Sequence, residues 1–327
     1  MVAALGAGRQ ITVLSRGRVE PLPGVDVLRA DRRDPGTLAA VLAGRRFDFT
    51  VDLAAYDAEG VEALWRVPRA SLGRYVLVSS GQVYLVRVGV KPPFRESDFA
   101  GPLMKAPREG SPDSAQWRYG IGKRRAEIAL RSLRRRYGVR ALALRLPVLH
   151  GEDDPTRRLW AWLERLLDGG PILLPEGGRR ATRFLEVTEA AGLIARLAEG
   201  KWPERAAYNL APARSTSLKR FLQLAARAAG VEPRFVAIRS RDLARQGLTL
   251  DALPFAGRWS SVLDSTRARR ELGFEASGPE QWLPRVVRWH LERRPASHPG
   301  YAQRERETEL AERLRRAPPT RTRSSSA

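Results

Sequence analysis

A tyrosine and a lysine in the first half of the chain have the spacing of an acid–base pair. Tyr119 and Lys123 are four residues apart, so on a helix both side chains lie on one face and can act on one atom. A tyrosine normally keeps its proton until about pH 10. An ammonium group within about 4 Å favours the phenolate by a few kcal/mol at an effective dielectric constant near 20. Tyr119 can then act as a general acid or base near neutral pH.

A serine pair closes a predicted strand upstream of this tyrosine. Residues 74–78 form a short apolar run that ends in Ser79 and Ser80, as a buried parallel strand does. Ligands of open α/β sheets bind at the carboxyl ends of the strands. The Tyr-x-x-x-Lys spacing alone occurs by chance in many helices, but a strand-ending serine about forty residues earlier is much more specific. We predict that Ser80, Tyr119 and Lys123 form one catalytic site.

Strands and helices alternate along the first part of the chain. This alternation predicts an α/β fold with a doubly wound parallel sheet. We expect a dinucleotide-binding domain over residues 1–150, a smaller substrate-binding region over 151–294 with segments that return to the main sheet, and a basic, disordered tail over 295–327. Strands are predicted at 10–14, 25–28, 47–53, 74–80 and 141–146, and helices at 37–42, 61–64 and 123–136.

The glycine-rich turn of a dinucleotide-binding sheet is missing. Such a sheet opens with a strand and a Gly-x-Gly-x-x-Gly turn that holds the pyrophosphate. Here Gly6 and Gly8 precede the first predicted strand, so the chain is expected to begin inside the first helix. The absent strand lies in the middle of the usual strand order. Either the start codon is assigned too late, or the chain has lost its phosphate cradle.

Composition excludes several classes of protein. The 327 residues include no cysteine and only three histidines, which excludes disulfides and thiolate chemistry and leaves no metal-ligand cluster. No run is apolar enough to span a membrane, and no signal peptide is recognisable, so we expect a soluble cytoplasmic protein. The net charge of +22 comes from 58 Lys and Arg against 36 Asp and Glu. Because the arginines are scattered, composition bias is favoured over a nucleic-acid surface, which stays open.

Beyond these patterns, the chain to about residue 293 resembles the NAD-dependent epimerase/dehydratase group of the extended short-chain dehydrogenase/reductase superfamily. The serine–tyrosine–lysine set is the most specific feature, and a late Asp-to-Leu-Gly pattern gives independent support. The residues that carry the resemblance are Val13 to Gly17, Asp31-Arg32, Leu53-Ala54-Ala55, Val78-Ser79-Ser80, Val83-Tyr84, Tyr119-Gly120, Lys123, Leu144-Arg145, Pro147, Phe184 to Val187, Tyr208-Asn209-Leu210, Asp264, Ala268 and Leu272-Gly273.

The resemblance implies a Rossmann-like domain and a role for each residue of the set. Ser80 would hydrogen-bond the reacting oxygen, Tyr119 would pass the proton, and Lys123 would bind the nicotinamide ribose and keep Tyr119 acidic. The other implied cofactor contacts are the adenine side at Asp31 and Arg32, the floor under the ribose at Leu53, Ala54 and Ala55, and the nicotinamide-side turn at Pro147. The alternative is a solvated turn for the adenine-side pair, and simple packing for Pro147 and the two alanines.

The end of the predicted strand 10–14 bears on which cofactor is used. No carboxylate follows it to hold a ribose 2′-hydroxyl, whereas Arg16 and Arg18 suit a 2′-phosphate. NADP is therefore favoured over NAD, with arginines that project into solvent as the alternative.

Substrate contacts are predicted more loosely. The insertion over residues 85–116 is rich in Pro and Arg and would form a lid. Gln82 and Tyr84 would face the substrate beneath it, and Arg183 and Arg258 would hold an anionic group of a phosphorylated or nucleotide-linked substrate. Surface or packing roles are equally open for all four.

Two functions of different class follow. The first is an NAD(P)-dependent epimerase, dehydratase or reductase with Tyr119 as general acid/base, and the resemblance implies a homodimer through the Tyr119 helix. The second is a non-catalytic binding protein on the same fold that associates with RNA through its arginines. RNA binding would fall steeply with salt.

Overall fold

A computed structural model describes residues 3, 8–17, 22–67 and 71–316. The chain divides into two compact units. The first contains residues 1–149, 183–214 and 259–278, and the second contains 150–182, 215–258 and 279–327. Arg18, Gly6 and the end of the expected tail lie outside the described residues.

The strands and helices have the following bounds. The strands are β1 (Ile11–Ser15), β2 (Val25–Arg29), β3 (Phe49–Asp52), β4 (Arg74–Ser80), β5 (Ala141–Leu146), β6 (Val148–His150), β7 (Ile172–Pro175), β8 (Ala181–Thr182), β9 (Phe184–Glu186), β10 (Ala207–Asn209), β11 (Thr216–Ser217) and β12 (Phe235–Ile238). The helices are α1 (Pro35–Leu42), α2 (Ala58–Trp65), α3 (Gln82–Leu85), α4 (Pro112–Tyr137), α5 (Arg158–Leu167), α6 (Val187–Glu199), α7 (Leu218–Ala229), α8 (Ser240–Arg245), α9 (Thr266–Leu272), α10 (Pro279–Arg293) and α11 (Arg304–Arg316).

The first unit is built on parallel strands, which confirms the predicted α/β class. β10, β5, β4 and β3 form one sheet in that order, and β1 pairs with β2 in a separate parallel pair. Within the described residues no strand pairs with both β1 and β3.

Both faces of the four-stranded sheet are buried. Alternate residues of β4 enter different clusters: Tyr75 and Leu77 pack with Leu130 of α4, whereas Val76 packs with Leu193 of α6. Because side chains alternate along a strand and helices cover both faces, β4 and β5 read as nearly continuous apolar runs. A shift in the pairing of these strands would move buried apolar side chains to the wrong face, so the burial fixes their register and the positions of their ends.

The second unit contains smaller sheets and most of the C-terminal helices. β7 pairs with β12 in parallel, and β8 pairs with β11 antiparallel. The residues Ser215-Thr216-Ser217 predict a helix cap and Gly230 predicts the helix end, and α7 confirms both: Ser217 accepts a hydrogen bond from the backbone N–H of Arg220, and Gly230 ends the helix with φ of +70°.

The basic tail over 295–327 is predicted to be disordered at its end, with one charged helix from Gln303 to Arg316. The structure has a helix here, α11 (Arg304–Arg316), which belongs to the second unit. The buried guanidinium of Arg165 pairs with buried Glu307 at 2.7 Å, and Leu310 is also buried. The charged helix α11 packs within the second unit because Glu307 has an ion-pair partner and Leu310 is buried. Residues 317–327 lie outside the described part of the chain.

The Tyr119 helix differs from its prediction. α4 begins at Pro112 rather than near residue 123 and has 26 residues. Helical spacing predicts a buried stripe of Ile128, Ala129, Leu133 and Tyr137, which is partly wrong, because Ile128 and Tyr137 are 50% and 58% exposed. The buried face carries charged side chains instead, among them Lys123 and Glu127. Sequence periodicity missed this face because it assigns charged residues to solvent.

Candidate active site

The buried ammonium of Lys123 marks the carboxyl edge of the four-stranded sheet. Its Nζ donates hydrogen bonds to the carbonyl oxygens of Ala55, at 2.8 Å, and Val78, at 2.9 Å. Ala55 follows the end of β3, and Val78 lies near the end of β4. Lys123 thereby ties α4 to two neighbouring strand ends, at the edge where ligands of such sheets bind.

The two serines of β4 point to different environments. Ser79 is buried and donates a 2.6 Å hydrogen bond to Glu127 of α4. Ser80 is half-buried, and its Oγ accepts a 3.2 Å hydrogen bond from the backbone N–H of Gln82. Because neighbouring side chains on a strand face opposite sides, Ser79 belongs to the interior and Ser80 to the strand end. Sequence reasoning selected Ser80 of the two.

Aromatic rings surround Lys123 on its remaining side. Its Nζ lies 4.9 Å from the ring centre of Tyr56 and 6.0 Å from that of Tyr119, and the two rings are 6.1 Å apart. Burial lowers the pKa of Lys123 to about 8, an effect that the Asp52 carboxylate opposes. Tyr119 is half-buried on the same helix face, as its spacing predicts. The pair can thus act on one atom.

Two glycines let α4 approach its neighbours closely. A Cβ on Gly120 would lie 2.9 Å from the carbonyl oxygen of Gln82, and one on Gly122 would lie 2.3 Å from that of Tyr56. A carbon and an oxygen atom without a bond between them cannot lie 2.3 Å apart, so a side chain on Gly122 would displace the backbone. The Tyr-Gly-Ile-Gly-Lys segment therefore needs both glycines to bring Lys123 to its carbonyl partners.

A buried carboxylate that sequence reasoning missed lies beside this site. Asp52 accepts two hydrogen bonds from Arg32, at 2.9 and 2.8 Å, and others from Tyr75 and from the backbone of Ala54 and Ala55. Burial alone would raise the pKa of Asp52, but the hydrogen bonds and charge of Arg32 hold it below its ordinary value. Its signal in the sequence is an aspartate at the end of an apolar strand.

A second buried network stands behind Ser79. Arg145 of β5 and Glu127 of α4 pair at 2.6 Å, and both are almost inaccessible to solvent. Arg145 also donates to the hydroxyl of Tyr84, which donates to Asn209. This network corrects one prediction: Tyr84 is 1% exposed and cannot face a substrate. The ring of Tyr84 stacks on that of Phe94, so the Tyr84 hydroxyl lies in the interior, where it needs hydrogen-bond partners.

The other predicted substrate residues lie in different places. Gln82 is half-buried and hydrogen-bonds Gln116 at the start of α4. Arg183, half-buried in the first unit, donates to the carbonyl oxygen of Leu263. Arg258 is exposed and belongs to the second unit. A common anion site for the two arginines remains a prediction.

Residues predicted to contact a cofactor fall into two groups. Leu53 and Ala54 are exposed beyond β3, whereas Ala55 and Pro147 are buried. Buried Ala55 contributes its carbonyl oxygen to Lys123 rather than an open surface.

The predicted adenine side also divides. Arg32 is engaged with Asp52, and the Asp31 carboxylate accepts from the backbone N–H of Arg33 in a local turn. This turn agrees with the alternative interpretation of Asp31. Arg16 is exposed after β1.

Among the helices that the structure describes, none combines the length and hydrophobicity needed to span a bilayer.

Solved structures of similar fold are enzymes. A UDP-glucose 4-epimerase from Thermotoga maritima, solved with UDP-glucose, is 18% identical over 88% of this chain and 93% of its own, with a TM-score of 0.68. The dTDP-glucose 4,6-dehydratase DesIV from Streptomyces venezuelae is 22% identical over 89% and 90%, with a TM-score of 0.65. RMD from Pseudomonas aeruginosa, complexed with NADPH, is 18% identical over 87% and 100%, with a TM-score of 0.61. At these identities the likeness establishes the fold.

Sequence comparison gives the family directly. No curated protein matches the chain. The sequence profile of the NAD dependent epimerase/dehydratase family matches residues 1–211, which is more than half of the 327 residues and includes Ser80, Tyr119 and Lys123. The chain therefore belongs to the NAD dependent epimerase/dehydratase family.

Proposed function

We propose that the chain catalyses NAD(P)-dependent hydride transfer at an alcohol or carbonyl carbon of a sugar, with Tyr119 as the general acid/base. The observation that carries this proposal is the position of Lys123. Its ammonium is held by carbonyl oxygens at the ends of β3 and β4, on the same helix face as Tyr119. Ser80 ends β4 at the same edge.

Each side chain has a distinct part in the proton transfer. In the oxidising direction Tyr119 accepts the proton of the substrate hydroxyl, while Ser80 donates a hydrogen bond to the oxygen that becomes a carbonyl. An ammonium has three N–H donors, and Lys123 uses two of them on Ala55 and Val78. The third is available to the cofactor ribose or the Tyr119 hydroxyl, and the positive charge favours the phenolate.

The residues at the strand ends fit the nicotinamide half of a dinucleotide. Leu53 and Tyr56 are large apolar side chains that are 54% and 55% exposed beside Lys123's carbonyl partners, and a bound ring and ribose would cover them. When bound, the nicotinamide supplies the hydride acceptor or donor. Arg16 is exposed after β1 and supports NADP over NAD through its fit to a 2′-phosphate.

A nucleotide-linked sugar is the proposed substrate class. Support comes from the solved structures of similar fold, two of which are named for UDP-glucose and dTDP-glucose chemistry. An epimerase or dehydratase restores its cofactor within each turnover, whereas a reductase consumes NADPH. Product analysis separates them. UDP-glucose and dTDP-glucose carry no free carbonyl, so their conversion without net cofactor change indicates an epimerase or dehydratase, whereas steady NADPH consumption with a keto-sugar nucleotide indicates a reductase and contradicts both.

The test of this function is Tyr119→Phe, which keeps the ring and removes the transferable proton. We expect turnover of the sugar to fall by about 10²–10⁴-fold, the usual contribution of a positioned acid or base. Tyr137→Phe is the matched control, since it removes a hydroxyl from an exposed tyrosine at the far end of the same helix. A Tyr119→Phe enzyme within threefold of the unmodified chain would refute the proposed role.

A further inference from the structure

A cationic pocket lies in the first unit, away from the residues described so far. It has a volume of about 550 Å³ and is lined by residues of the amino-terminal end of β4, the carboxyl end of α4 and its turn into β5, and the segment after α6. The site of Ser80 and Lys123 is at the carboxyl ends of the same strands, so the pocket opens at the opposite edge of the sheet. Its lining residues are Arg74, Arg134, Gly138, Val139, Arg140, Lys201, Trp202, Pro203 and Glu204.

Charge is the first property of this pocket. Four lining side chains are cationic and one, Glu204, is anionic, which gives a net charge of +3. Arg140 and Lys201 are exposed, and within residues 8–17, 22–67 and 71–316 neither makes an ion pair or a side-chain hydrogen bond. Both line the same pocket, where an excess of positive charge attracts anions.

Two further arginines give the pocket a fixed shape. Arg74 donates a 2.9 Å hydrogen bond to the carbonyl oxygen of Gly200, and Arg134 donates to those of Ala141 and Glu204. These bonds join the pocket walls and use only part of each guanidinium, which has five N–H donors. The guanidinium groups are therefore held at the pocket before any ligand arrives, which reduces the entropy that binding would cost.

The remaining wall is apolar and planar. Trp202 is half-buried, contacts Phe49 edge-to-face at 6.4 Å and lies 6.0 Å from the Arg74 guanidinium carbon. Pro203 follows it. A wall of this kind beside a set of cations suits a ligand with both a planar ring and phosphate groups. The pocket volume lies within the range of about 300–1,000 Å³ that encloses small organic ligands.

We propose that this pocket binds a nucleoside polyphosphate, with the phosphates on Arg140, Lys201 and the two fixed arginines and the base against Trp202. All of its lining residues belong to the first unit. It is also separate from the proposed cofactor residues. Along α4 the lining residue Arg134 lies about 16 Å from Lys123 at 1.5 Å per residue, and the pocket opens at the opposite edge of the sheet.

The experiment measures binding of ATP and of inorganic tripolyphosphate to the full chain by isothermal titration calorimetry at two salt concentrations. We expect ATP to bind more tightly than tripolyphosphate and both to weaken with salt. Arg140→Ala combined with Lys201→Ala should weaken ATP binding at least about tenfold, since two charge-assisted contacts are lost. Trp202→Ala should weaken ATP binding and leave tripolyphosphate unchanged.

Arg135→Ala is the matched control, because it removes an exposed arginine from the same helix end outside the pocket lining. It should leave ATP binding within twofold. The proposal is overturned if ATP does not bind, or if the Arg140 and Lys201 changes weaken binding no more than this control. Tripolyphosphate binding as tight as that of ATP overturns the assignment of a nucleoside.

Discussion

Replacing Glu127 by Gln should be among the most destabilising single changes in the first unit. The Glu127 carboxylate accepts from Arg145 at 2.6, 2.9 and 3.2 Å and from Ser79 at 2.6 Å. Glutamine has nearly the same shape but would leave the Arg145 guanidinium buried without a counter-charge. Breaking a buried pair in this way costs about 3–5 kcal/mol of the free energy of unfolding.

The pH dependence of this loss has a definite sign. Burial would raise the pKa of Glu127, but the charge and hydrogen bonds of Arg145 hold it below the ordinary value of 4.5. A carboxyl with a depressed pKa in the folded state contributes stability that is fully present above its unfolded pKa and is lost as the pH falls through the folded pKa. The difference between the two proteins should therefore be largest near pH 7 and shrink below about pH 4.5.

Urea unfolding, followed by circular dichroism, measures this difference. Glu62→Gln is the matched control, since Glu62 forms an exposed pair with Arg66 at the same 2.6 Å distance, and such a pair is worth only about 0.3–0.5 kcal/mol. Replacing Glu127 and Arg145 together by Met should cost less than Glu127→Gln, because no buried charge is left unpaired. A loss below 1 kcal/mol for Glu127→Gln, or a double change as costly as the sum of two single ones, would refute the reasoning.

Four further outcomes are expected. Because burial lowers the pKa of Lys123 to about 8, kcat should fall as the pH rises through about 8, and a plateau to pH 9.5 would contradict the need for its charge. Gly122→Ala should lower stability and activity together because its Cβ meets the Tyr56 carbonyl oxygen, whereas Gly192→Ala, with no atom closer than 4.0 Å, should stabilise α6 by about 0.5–1 kcal/mol. Arg16→Glu should shift kcat/KM from NADP towards NAD, and an unchanged ratio would remove Arg16 from the cofactor site. Tyr119→Phe should leave RNA affinity at low salt unchanged under the binding-protein hypothesis, and filter binding that detects no RNA would exclude it.

Local sequence signals predicted the elements whose ends are set by the chain itself. The strand at residues 74–80 has the predicted bounds. The segment after Asp264 predicts a helix from Thr266 to Leu272, and the structure has a helix with those bounds. Both are short segments with clear boundaries, one ending in the two serines and the other in Gly273. Elements of this kind depend on propensity, capping and a continuous apolar run, all of which are visible in sequence.

What the sequence did not reveal depends on partners distant along the chain. Arg145 is 18 residues from Glu127 and 61 from Tyr84, and no periodicity distinguishes a charge with a buried partner from one in solvent. For this reason the sequence leaves Tyr84 open between a substrate contact and packing, and it does not single out Asp52. Most buried polar side chains have a hydrogen-bond partner, and such partners are set by tertiary structure.

Ser79 and Ser80 are neighbours on β4, yet replacing them should change different properties of the protein, stability for Ser79 and turnover for Ser80. Removing the Ser79 hydroxyl takes a hydrogen bond from the buried Glu127, and its effect should appear in stability. Removing the Ser80 hydroxyl leaves that interior intact and should appear in turnover. Under the proposed function, one peptide bond therefore separates a residue that stabilises the fold from one that takes part in turnover, and each can be altered in an engineered enzyme without changing the other.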